Sequence, residues 1–113
     1  MNFYDKIYEL VNCFKETNEY KKYIEVKSKL KLNTEAYQQL KEFKEIQRKN
    51  QIDYISSQKV DEEKQKQIQD MYIKLVQNED IKNFFDCEIK LDVMLADMQK
   101  IIGDGLKELI DIE

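Results

Sequence analysis

Proline is absent from this chain and its only two glycines stand at positions 103 and 105, so it runs from Met1 to Ile102 without either residue that most readily stops a helix or forces a turn. That constraint favours long helices over a sheet, whose hairpins need such residues at every reversal. A chain of 113 residues holds one modest apolar core but not two of ordinary size. The expectation is therefore an all-α fold of about five amphipathic helices in a small bundle, forming a single domain over 1–113 with a long third helix.

The apolar spacing places these helices. Phe3, Ile7, Leu10, Val11 and Phe14 recur at steps of three and four, one stripe of a helix over 2–16. Thr17 or Asn18 can cap the next, over 18–32, with Tyr20, Tyr23, Ile24, Val26 and Leu30 on one side and lysines on the other. Asn33-Thr34-Glu35 starts a third over 34–57, where Ala36, Leu40, Phe43 and Gln47 share a stripe. Its pattern weakens around Lys49-Asn50-Gln51, so the distal half is expected to fray, bend or project, with Ser56-Ser57 as its end. Asp61 can cap a fourth over 61–77, whose Ile68, Met71, Tyr72, Leu75 and Val76 fit the helical template completely. A fifth follows over 79–102, and Gly103-Asp104-Gly105 is read as the one flexible spot before a tail or short helix over 103–113.

The fifth helix is apolar over more than one narrow stripe, and a wide apolar arc needs cover on two sides. In so short a chain the second cover is expected to be another subunit. This marks Phe84, Phe85, Leu91, Met94, Leu95, Met98 and Ile102 as an oligomer interface.

Charged residues make up 37% of the chain and mean hydropathy is -0.75, so much of every helix must face water. Twelve Tyr or Phe side chains nonetheless supply enough apolar area for a core, which argues against disorder. The longest apolar runs, such as Val93-Met94-Leu95-Ala96, fall far short of the ~20 residues that cross a bilayer, and the first residues lack the pattern of a secretory signal, which predicts a cytoplasmic protein. With a net charge of -4 and a pI near 5.0, the chain as a whole repels phosphate backbones, which disfavours direct nucleic-acid binding.

Reactive chemistry is thinly represented. There is no histidine, which removes the commonest general base near neutral pH and the commonest metal ligand. Two late glycines cannot build a phosphate-binding loop or a dinucleotide turn. Glu62 with Lys66 reads as a surface pair one turn apart, and Asp61-Glu62-Glu63-Lys64 as a solvated first turn. Glu88 and Asp92 would suit a carboxylate-bridged metal pair only with a Glu-x-x-His partner, which is missing. Cys13 and Cys87 match no metal or redox spacing and read as small hydrophobes at the borders of apolar stripes; the alternative is a metal or redox role completed across a subunit boundary. No catalytic residue and no cofactor is expected.

One basic patch stands out. Lys21, Lys22, Lys27, Lys29 and Lys31 face a single acid, Glu25, in the same stretch. The plain reading is a solvated helix face; the functional one is a docking surface for an acidic protein or for RNA phosphates. Tyr20 and Tyr23 lie among these lysines, but at core spacing, which weakens a base-stacking role.

Thr17-Asn18-Glu19-Tyr20-Lys21-Lys22-Tyr23, then Leu30, Asn33, Glu35-Ala36, Leu40, Phe43 and Gln47, resemble the YlbF/YmcA family in order and spacing. A second block does the same: Leu75-Val76-Gln77-Asn78, Ile81, Phe84-Phe85, Glu88, Leu95 and Ile101-Ile102. The resemblance implies an all-helical cytoplasmic bacterial regulator, often oligomeric, that works without catalysis in complexes with related proteins. It further implies influence on competence, sporulation, biofilm formation and the maturation of messenger RNA by an endoribonuclease. Some relatives are associated with iron–sulfur clusters held partly by cysteines near a longer C-terminal tail, and those cysteines have no counterpart here. The function expected is a regulatory adaptor acting through protein contact. An RNA-binding module on the lysine face and a purely structural helical oligomer stay as alternatives.

Overall fold

The computed structural model describes residues 2–110, and among them every regular element is helical. The order is α1 (Phe3–Lys15), α2 (Asn18–Leu32), α3 (Thr34–Ser57), α4 (Glu62–Leu75), α5 (Glu79–Gly105) and α6 (Lys107–Ile110). Side-chain caps, rather than glycine or proline, separate them. Asn2 accepts from the Tyr4 amide, Asn33 from Ala36, Asp61 from Lys64 and Asn78 from Ile81, each satisfying an amide that the first turn leaves without a partner. Thr17 works in both directions at the first corner: its hydroxyl donates to the Phe14 carbonyl at 2.7 Å and accepts from the Tyr20 amide at 3.2 Å. A chain without prolines can thus turn sharply wherever a short polar side chain replaces the lost helical bond.

Two expectations change. α3 continues unbroken through Lys49-Asn50-Gln51 to Ser57, although residues 51–61 are all exposed. The Ser57 hydroxyl donates to the Asp53 carbonyl at 2.7 Å, and Gln58 closes the helix in the left-handed conformation at φ 55°. The glycine pair does not break the fifth helix either. α5 runs through both glycines to 27 residues, longer than the 24 of α3, because Leu106 donates back to Ile102 and Gly103 and keeps the turn closed. The tail expected over 103–113 is therefore helical through Ile110, and its last three residues lie outside the described range.

The chain divides into two compact units, a central one over 24–85 and a terminal one over 1–23 and 86–113. The central unit holds most of the buried apolar side chains: Val26, Leu30, Ala36, Leu40, Phe43, Leu75, Ile81, Phe84 and Phe85. Its focus is aromatic. Phe85 meets Phe43 edge-on at 5.9 Å and Tyr72 at 5.2 Å, so one ring from α5 ties α3 to α4. In the same unit the Lys29 ammonium lies 3.6 Å from the Asp80 carboxylate, next in sequence to Leu30 and Ile81, the largest fully buried side chains among the described residues. In the terminal unit, Cys87 and Leu91 are the only side chains buried among the described residues. α1 has none.

Three substitutions test these assignments by chemical denaturation. Ile81→Ala removes a fully buried side chain and should cost about 2–5 kcal/mol. Gln58→Gly relieves a left-handed conformation and should stabilise by about 1 kcal/mol. Gly103→Ala meets nothing within 4 Å of the added carbon and should gain a similar amount, about 1 kcal/mol.

Candidate functional site

α1 follows the helical period without burying what that period aligns. Phe3, Ile7, Leu10 and Val11 are all exposed, and Phe14 alone on the stripe is half-buried, its ring edge-on to that of Tyr20 with the ring centres 5.9 Å apart. The C-terminal part of α5 repeats the situation, with Val93, Leu95, Ile101 and Ile102 exposed. These helices line one apolar groove of about 460 Å³ within the terminal unit. One wall carries Leu10, Cys13, Phe14 and Thr17; the other carries Met94, Asp97, Met98, Ile101 and Ile102. Both walls keep steps of three and four over two turns, a length of roughly 10–12 Å, so the groove is the shallow valley between two helical stripes.

The groove is predominantly apolar. Its one carboxylate is Asp97 and its one thiol Cys13, with no general base beside either. Methionine side chains are flexible and polarizable, so Met94 and Met98 let such a wall adapt to different apolar side chains. Cys13 is exposed and Cys87 buried, both as free thiols, and the described residues hold no group of three or more Cys, Asp or Glu placed to share a metal ion.

The residues expected at a subunit interface separate into two groups. Phe84, Phe85 and Leu91 are 4%, 7% and 8% exposed, so the chain itself covers them and they do not form an outer surface. Met94 and Met98 are half-buried, while Leu95 and Ile102 remain 39% and 47% exposed. The wide apolar arc of α5 thus serves the chain's own core at its start and stays open farther along.

The five lysines of α2 do not share one face. At about 100° per residue, Lys22 and Lys29 lie on one flank of the buried pair Val26 and Leu30, Lys27 and Lys31 on the other, and Lys21 outward. Lys29 pairs with Asp80, and Lys31 lies 5.9 Å from the Tyr37 ring. A basic groove does form in the central unit, but most of its cations come from α3: Lys41, Lys44 and Arg48 line it with Lys27, Tyr37, Leu40, Glu45 and Phe84. The α3 cations were missed because they sit among acids in sequence. The signal was there in their steps of three and four, which align them with Tyr37 on one stripe.

Among the described residues the chain is thus an all-helical fold that leaves an apolar groove open. The family model described as "Control of competence regulator ComK, YlbF/YmcA" matches residues 3–107, and the chain belongs to that family. Among curated relatives, a "UPF0342 protein" of Caldicellulosiruptor saccharolyticus is 31% identical over 105 residues, covering 93% of this chain and 88% of that protein. The corresponding protein of Symbiobacterium thermophilum is 28% identical over 103 residues, covering 91% and 92%. One from Streptococcus pyogenes serotype M5 is 31% identical over 107 residues, covering 95% of both chains. No solved structure matches the chain. Among the described residues no helix is long and apolar enough to cross a membrane.

Leu10→Ser and Ile101→Ser remove exposed apolar groups from the groove. Each should change unfolding free energy by less than about 0.5 kcal/mol while lowering the fluorescence of a bound apolar dye. A large loss of stability would place these side chains in the core instead.

Proposed function

We propose that this protein is a non-catalytic regulatory adaptor that acts in the cytoplasm by presenting the groove between α1 and the C-terminal part of α5 to another protein chain. The observation that carries this reading is the terminal unit itself. Its two principal helices are amphipathic, yet among its described residues only Cys87 and Leu91 are buried, and thirteen large apolar side chains stay exposed, from Phe3 to Leu109. Apolar surface at this density marks a contact site, because its removal from water is the largest gain association can offer. Met94, Leu95, Met98 and Ile102 are the residues assigned to that contact.

Family membership supports a regulatory role, and the resemblance supports its direction: control of competence and related developmental pathways through messenger-RNA maturation. Its partners on this reading are further copies of the chain, related family members and, through them, an endoribonuclease. Catalysis has little to draw on, since the groove offers one carboxylate and one thiol with no base to activate either.

The test is complementation of a deletion strain by the protein or by Met98→Glu/Ile101→Glu, scored by expression of competence genes and by affinity capture of associated proteins. The variant should keep its helical circular dichroism, lose its captured partners and fail to restore expression. Full restoration by a folded variant would remove the groove from the regulatory mechanism.

A further inference from the structure

The second concave surface, in the central unit, has the opposite chemistry. Tyr37, Lys41, Lys44 and Arg48 follow one another along α3 in a stripe about 16 Å long. Lys27 of α2 faces the same space, and Leu40 and Phe84 contribute apolar surface to a groove of about 380 Å³. Four cations and one carboxylate line it, a net of +3. That carboxylate, Glu45, is already engaged: Arg48 donates to it at 2.6 and 3.2 Å, and the guanidinium holds its carboxyl below the usual range. The Lys41 ammonium sits 5.1 Å from the Tyr37 ring, and Lys44 sits 5.6 Å from Phe85. Like charges gathered around one concavity raise the local potential and attract a counter-ion of matching charge.

The chain's negative total does not oppose this. Residues 24–85 carry twelve Lys or Arg against eleven Asp or Glu, a net of +1, whereas the remaining residues carry seven against twelve, a net of -5. The volume falls within the ~300–1,000 Å³ typical of small-ligand sites. A single carboxylate neutralises only part of a +3 lining, while an oligophosphate carries three or more charges on closely spaced oxygens, the geometry that lysine and arginine donors match. The half-buried Tyr37 beside Leu40 gives the same groove an apolar wall for a ring. We infer that the groove between α2 and α3 binds a nucleoside triphosphate or a close relative of that class, its phosphates on Lys27, Lys41, Lys44 and Arg48 and its base against Tyr37. This is a binding site distinct from the apolar groove and implies no turnover of the ligand.

The test is calorimetric titration of the full chain with inorganic triphosphate and with adenosine triphosphate. Both should bind, the nucleotide more tightly. Lys41→Gln/Arg48→Gln should weaken both by about tenfold or more, the loss expected for two charge-assisted contacts. Lys64→Gln/Lys66→Gln on α4 removes the same charge away from the groove and should change either by less than about twofold. Tyr37→Ala should remove the advantage of the nucleotide over the inorganic ion. Four results would overturn the assignment: no binding of either probe at millimolar concentration, equal losses in the two double variants, displacement of both probes by a polyglutamate peptide of equal charge, or RNA affinity that rises with length and resists competition by triphosphate.

Discussion

The contact on which the central unit depends is that of Phe85 with Phe43 and Tyr72. Each ring belongs to a different helix, so a single cluster fixes α3, α4 and the start of α5 against one another. Aromatic side chains bury much area for few rotatable bonds, which lets a chain with 37% charged residues close a core with a handful of apolar groups. The fully buried Leu30 and Ile81 complete it where α2 meets α5 in that unit. The apolar side chains of the two ends are plentiful but mostly left exposed, and the open apolar groove lies among them.

Much of the helical architecture was legible because periodicity and caps agreed. Asn33 and Asp61 were visible as polar punctuation before apolar repeats, and each accepts the amide three residues on. Gly103 and Gly105 misled for a physical reason. Glycine lowers helix stability by only about 1 kcal/mol, which a 27-residue helix tolerates. The groove was partly legible: the stripe of α1 and the wide arc of α5 could be read, but not which part of that arc the chain covers itself. Phe84, Phe85 and Leu91 differ from Met94 and Leu95 only in what lies opposite them, which no spacing encodes. The basic groove was less legible still, since Lys27 and the α3 cations converge only when α2 and α3 fold back on each other.

The two grooves divide the protein's chemistry cleanly. One offers apolar, adaptable walls and suits a protein surface; the other gathers cations about a small volume and suits an anion. Both grooves are built mainly from helix faces, with Thr17 at the corner between α1 and α2 as the one lining residue outside a helix.

α1 has a further consequence through its lack of buried side chains. A segment with so little packing detaches at small free-energy cost, so its ordered fraction is set by mass action with whatever docks onto it, as RT ln(1 + [L]/Kd). Any surface that covers α1 therefore adds to its order as well as removing its apolar side chains from water.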